Sequence, residues 1–143
     1  MSASLSDILT TQKNGVVALG DISRYTQAIA NLLAISGGLS KMAQAAMTTS
    51  YATVYTCPLG QRASLVDLNI CNTTAAPIGI YVSMVPSGGT AGTTNAIFYN
   101  ASLPAYSTVQ WTGSIAMTAG DTLQVKGSAV GCTITVSGGS VAI

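Results

Sequence analysis

Arg62-Ala63-Ser64-Leu65-Val66-Asp67-Leu68-Asn69-Ile70-Cys71-Asn72 alternates side-chain character almost residue by residue. A period of two is what a β-strand imposes, because successive side chains leave opposite faces of the pleat. Ser64, Val66, Leu68 and Ile70 share one face on this pattern, and Leu65, Asp67, Asn69 and Cys71 the other. Moving outward, similar short runs recur between turn signals. Residues 52–57 come first and stop at Pro58-Leu59-Gly60. Residues 78–85 follow, with Ile78, Ile80, Val82 and Met84 predicted on the buried face. Then come 96–101, with Ile97 and Tyr99 opposite Phe98, and 108–112, holding Val109 and Trp111. Residues 122–126 carry Leu123 and Val125, and 132–136 and 140–143 close the series. Between them lie a polar loop from Pro86, a corner at Leu103-Pro104-Ala105-Tyr106 and a turn at Ala119-Gly120-Asp121.

About eight short strands at regular spacing predict a mainly β fold, an antiparallel β-sandwich or jelly roll. The connections are too short for parallel crossovers. Residues 51–143 are assigned to this domain, 39–50 to an extended linker, and 1–38 to an N-terminal α-helical arm. In the arm, Ile8, Gly15, Ile22 and Ile29 recur every seven residues, as do Gln12, Leu19, Thr26 and Leu33. The two series interleave as an imperfect heptad seam. Asn14-Gly15 divides it into a helix near 5–13 and a second one, with Asp21 or Ser23 as N-cap and Gly37-Gly38 as terminator. Ile8, Leu19, Ile22, Ile29 and Leu33 are the residues expected to form its interface. A helix this short needs a surface to pack on. A helical bundle of several copies, a larger partner protein and the chain's own β domain all satisfy that need.

The 143 residues are 48% hydrophobic and 6% charged, with a net charge of +1. Ordinary soluble domains carry about 25% charged residues. So little charge protects poorly against association, and extensive burial against partners is expected. Lys13, Arg24, Lys41, Arg62 and Lys126 form no cluster in the sequence, so phosphate neutralisation on nucleic acid has no footprint. No basic start followed by an apolar core marks a secretion signal, and no apolar run is long enough to span a membrane.

Chemistry is limited by what is missing. The chain has neither His nor Glu, so a Ser-His-Asp or Cys-His arrangement cannot be built within it. The usual tetrahedral zinc site lacks its ligands. No catalytic, cofactor-binding or metal residues are assigned. Asp67 is expected to face outward or to pair with Arg62 or Lys126, and Asp121 to bond backbone amides within its turn. Gly88-Gly89 and Gly138-Gly139 are expected to be turns. Trp111, Tyr81, Tyr99 and Tyr106 are expected in the core or at corners, with a sugar-stacking or partner-facing patch as the alternative. Cys57, Cys71 and Cys132 are expected to behave as small buried hydrophobes; a disulfide formed after release from the cell, within or between subunits, is the alternative.

Four fragments carry a resemblance. Val54-Tyr-Thr-Cys-Pro-Leu-Gly-Gln-Arg-Ala63 is similar to the strand-turn opening of β-sandwich modules in virion proteins of tailed bacteriophages. Val66 to Asn72 resembles their second strand, Leu103-Pro-Ala-Tyr-Ser-Thr108 their Pro-Ala corner, and Met117-Thr-Ala-Gly-Asp-Thr-Leu123 their late Gly-Asp turn. The resemblance implies a non-enzymatic structural part of a phage particle, such as a tail, fibre, collar or capsid-decoration component. It also implies a homotrimer bound to other virion proteins; with no secretion signal visible, synthesis in the host cytoplasm is expected. The alternative is a tip module that binds a host receptor or surface glycan through residues 86–95 and 127–131.

Overall fold

A strand with one apolar face buries it only against a second sheet, and the strands of this chain stack in two layers. The computed structural model describes residues 38–143, which form one unit. The expected arm residues Ile8, Leu19, Ile22, Ile29 and Leu33 lie outside the described residues. Eight strands follow in order: β1 (Ser40–Ala46), β2 (Ala52–Thr56), β3 (Gln61–Asn72), β4 (Ile78–Val85), β5 (Ala96–Leu103), β6 (Thr108–Met117), β7 (Thr122–Gly127) and β8 (Cys132–Ala142). One sheet has the order β1-β8-β3-β6 and the other β2-β7-β4-β5, with every pairing antiparallel. Only the β4–β5 connection stays within a sheet. That order is an eight-stranded jelly roll.

Leu65, Leu68, Ile70, Ile134 and Val136 from the first sheet meet Ile78, Ile80, Val82, Leu123 and Val125 from the second in one buried cluster. Trp111 is half-buried and packs against it from the edge strand β6, as expected of a core residue. A smaller cluster of Cys57, Ala63 and Met117 closes one end of the sandwich.

Three expectations need correction, and each traces to a break in simple alternation. The 39–50 segment is no plain linker, because it contains β1, which pairs with β8. Its period is hidden by small residues and by a bulge at Met42, between Lys41 and Ala43. Residues 132–136 and 140–142 belong to one strand, so Gly138-Gly139 is not a turn. The Ser64 carbonyl and the Met42 sulfur approach Gly138 so closely that a Cβ there would collide with both. Finally, the two faces of β3 exchange part-way along. Ala63 and Leu65 are buried, Val66 and Asp67 are half-buried, and burial resumes at Leu68 and Ile70. β4 shows no such exchange: Met84, opposite the buried Leu123, stays on the face of Ile78, Ile80 and Val82 as expected and packs against both clusters, while Val85 is buried outside them.

The breaks line up. Where β8 runs directly from Ser137 to Gly138, β3 inserts Val66 and β6 inserts Gly113 and Ser114. On the other side β1 inserts Met42. Extra residues accumulate away from β8, which bends the sheet along one line. In the second sheet β4 and β7 pair without interruption, whereas β2 bulges at Val54 and β5 bulges twice.

Asn72 is fully buried at the end of β3. Its Nδ2 donates to the carbonyls of Ala76 at 2.8 Å, Pro104 at 3.1 Å and Leu103 at 3.2 Å. Its Oδ1 accepts from the Thr74 amide at 2.9 Å and the Thr74 hydroxyl at 2.8 Å. One side chain therefore holds the β3–β4 and β5–β6 connections together. Asn72→Ala removes all five bonds from a buried site and should lower unfolding stability by about 2–3 kcal/mol in urea titration. Ser83 is the opposite case, a buried hydroxyl with no partner. Ser83→Ala should leave stability unchanged or raise it by up to about 1 kcal/mol in the same measurement.

Candidate functional site

Antiparallel strands send the connections to two ends. At the first end lie the turns 57–60 and 118–121 and the long loop 86–95. The Cys57 amide donates to the Asp121 carbonyl at 2.9 Å, and the Ser87 amide to Asp121 Oδ1 at 3.1 Å. At the second end lie the connections 47–51, 73–77, 104–107 and 128–131. There the Thr73 amide donates to Gly131 O and the Tyr106 amide to Thr74 O. Residues 86–95 and 127–131, expected to share a binding role, therefore sit at opposite ends and cannot form one surface.

The first end carries exposed apolar groups. Leu59 is 88% exposed in its turn and Ile143 72% exposed. The Ile143 amide donates to Gly60 O at 3.0 Å, which holds the two close together. Asp121 organises this end. Besides Ser87, its carboxylate accepts from the Thr118 amide at 2.8 Å and the Thr118 hydroxyl at 3.0 Å. The Thr118 amide, foremost, lowers the Asp121 pKa, against an opposing effect of burial; the Thr118 hydroxyl and Ser87 amide add to the lowering. The turn role expected of Asp121 is the observed one. Asp67 faces outward but pairs with neither Arg62 nor Lys126. Its Oδ1 accepts from Asn69 Nδ2 at 2.7 Å and its Oδ2 from Gln110 Nε2 at 2.6 Å. Among the described residues no cluster of His, Cys, Asp or Glu could hold a metal ion.

The cysteines are free thiols. Cys57 and Cys132 are buried, as expected of small hydrophobes, and Cys71 is half-buried. Burial pushes the thiols of Cys57 and Cys132 up, with smaller contributions from Asp121 and Cys71 respectively, which disfavours the reactive thiolate. Cys132 pairs across the ladder with Asn72, so the adjacent Cys71 projects from the opposite face of the sheet.

The second end exposes Tyr106, 73% accessible, with φ of +52°. A bulky residue in the left-handed region is strained, and strain of this kind gathers at functional positions. Tyr106 occupies the corner expected for it.

The most organised surface is the outer face of the second sheet, where each strand contributes one member of a row. Tyr51 precedes β2, Lys126 lies on β7, Tyr81 on β4 and Tyr99 on β5. Tyr81 pairs directly with Lys126, and the Ala52–Val125 pair places Tyr51 on Lys126's other side. Lys126 Nζ sits 4.8 Å from the Tyr51 ring centroid and 4.4 Å from that of Tyr81, within cation–π range of both. Tyr81 and Tyr99 meet edge to face, with centroids 5.3 Å apart and planes at 84°. Tyr51 and Tyr81 stand 6.4 Å apart at 76°. Tyr99 is 56% exposed.

Strict alternation predicts Tyr99 on the same face as Ile97, and a bulge overrides it. Ile80 pairs with Ala101 and Val82 with Phe98, so Tyr99 and Asn100 together oppose Tyr81. Asn100 adopts φ of +52°, and both bulged residues turn outward. The Asn100 side chain fills the space over Gly79 that a Cβ would occupy. Tyr81 and Tyr99 thus leave the core and corner positions expected of them and form the outward patch given as the alternative. Tyr51 and Lys126 carried no motif; a strand register would have been needed to find them.

No protein-family model matches the chain, and no curated protein matches it significantly. Among solved structures, it is similar to a chain of the Bacillus endospore appendages, described as disulfide-linked pili. Identity there is 19% and the TM-score 0.37, with 71% of this chain and 86% of that one covered. A chain of infectious bursal disease virus, Gx strain, gives 13% identity and a TM-score of 0.37 over 69% of this chain and 32% of that one. The Gt strain gives 10% and 0.29 over 73% and 39%. At these scores the likenesses carry no weight for function, and the fold rests on the strand order itself.

The Asp121 geometry sets a pH dependence. A carboxyl whose folded pKa is depressed adds stability above its unfolded pKa, and that stability is lost as pH falls through the folded value. Melting temperature should therefore fall on acidification below the ordinary carboxylate range. Asp121→Asn should melt lower at neutral pH and show a shallower acid decline, checked by thermal scans across acidic pH.

Proposed function

We propose that this chain is a non-enzymatic structural protein of a bacteriophage particle, a tail, fibre, collar or capsid-decoration component. The supporting observation is a neutral jelly roll whose first end combines exposed Leu59 and Ile143. β1 runs from Ser40, opposite Gly138, to Ala46, opposite Thr133, so the strand starts at that end. A surface with so few charges gains by burial in a repeated, symmetric assembly. Three of the four fragments resembling phage modules fall at structural joints, the β2–β3 turn, the β5–β6 corner and the β6–β7 turn, and the fourth is the second half of β3. The absence of His and Glu leaves the chain without the usual acid–base and nucleophile-activating pairs.

In this reading the chain assembles as a homotrimer through its N-terminal segment, and other virion proteins take up the exposed apolar end. The test is the solution mass of the full chain by light scattering, with and without reductant. A stable trimer insensitive to reductant is expected. The double substitution Ile22→Asp and Ile29→Asp should reduce it to monomer while the melting transition of the β domain persists. A wild-type monomer, or a trimer unaffected by the double substitution, rejects the N-terminal segment as the assembly element.

A further inference from the structure

The row Tyr51–Lys126–Tyr81–Tyr99 is unlike the rest of the surface. The described residues hold two side-chain carboxylates, Asp67 and Asp121. Asp67 is engaged by Asn69 and Gln110 on the other sheet, and Asp121 by Thr118 and Ser87 at the first end. Lys126 thus contributes a positive charge to a face without a side-chain carboxylate. Its ammonium is held over two ring faces rather than free in solvent. Beside it, Tyr81 and Tyr99 form a corner whose walls are nearly perpendicular. The corner exists because of the β5 bulge, and the bulge is seated on Gly79, the one residue type that leaves room for Asn100. Bulges that re-aim a side chain are enriched next to functional sites.

We propose that the Tyr81–Tyr99 corner, flanked by Lys126 and Asn100, binds an acidic saccharide, a sugar unit carrying a carboxylate. The apolar C–H face of the pyranose packs on the exposed Tyr99 ring, and the Tyr81 ring bounds one side. The carboxylate accepts a charge-assisted hydrogen bond from Lys126 Nζ. The Asn100 amide and the tyrosine hydroxyls supply both donors and acceptors for sugar hydroxyls. A peptide fits less well. β7 and β4 are paired on both sides, and the edge strand β5 beside the corner bulges twice, which breaks the regular ladder that an added strand would need. The inference does not depend on the proposed assembly role, and its readout is separate from the oligomer mass.

The test uses the full chain and two matched probe pairs: hyaluronan tetrasaccharide against chitotetraose, and sialyllactose against lactose. Saturation-transfer NMR detects contact, and amide shifts locate it. At least one acidic sugar should bind, with shifts centred on residues 79–81, 99–100 and 126, while its neutral counterpart does not. Lys126→Met and Tyr99→Ala should each weaken binding on the order of tenfold, and Lys126→Arg should retain it. Added salt should weaken it as well. Unchanged melting temperatures confirm that these surface variants fold. Failure of both acidic sugars to bind overturns the proposal, as does equal binding of the neutral sugars or unaltered affinity in Lys126→Met and Tyr99→Ala.

Discussion

A jelly roll threads its strands alternately between two sheets, so its connections must be pinned where they cross from one layer to the other. In this chain Asn72 provides that pin. A backbone carbonyl has no donor of its own, and three carbonyls converge on one buried amide group, while the amide's oxygen takes up Thr74. The arrangement needs a side chain with donors and an acceptor on one short stem. Asp lacks the donors, Gln is longer by a methylene, and an apolar residue removes all five bonds. Asn72 also lies at the end of β3, the strand that pairs with both β8 and β6. The loops at the second end, Tyr106 included, take their positions from it.

The class of fold was legible because burial on one face forces a period of two, and seven of the eight strands carry some of it. The failures are equally physical. A bulge adds one residue and exchanges the two faces beyond it. Leu65 therefore belongs inside with Leu68 despite their odd separation. β1 escaped notice because alanines give no contrast between faces. The break assigned at Gly138-Gly139 followed the usual link between paired glycines and turns. In the folded chain these glycines admit a crowding neighbour within a continuous strand.

The functional surface was less legible than the core for a related reason. Core residues announce themselves through the pattern of one strand, whereas the Tyr–Lys row is assembled from four strands and depends on their register. Trp111, Asp121 and the buried cysteines could be placed from local chemistry alone. Tyr81 and Tyr99 could not, because a left-handed Asn100 decides the direction in which Tyr99 points. Lys126 looked like an isolated charge in the sequence and becomes the centre of the row only when β7 lies between β2 and β4.

The distribution of bulges has a consequence for how such a protein stays dispersed. Two open sheets expose four edges, each a row of backbone groups ready to pair with another molecule. Most proteins defend these edges with charge, and this one has little to spend. All four edge strands carry inserted residues instead: Met42 in β1, Val54 in β2, two sites in β5, and Gly113-Ser114 in β6. Each insertion breaks the hydrogen-bonding rhythm that a neighbouring strand would have to match. Resistance to fibrous aggregation is thereby written into backbone geometry, which leaves the side chains of a nearly uncharged surface available for contacts of a chosen kind.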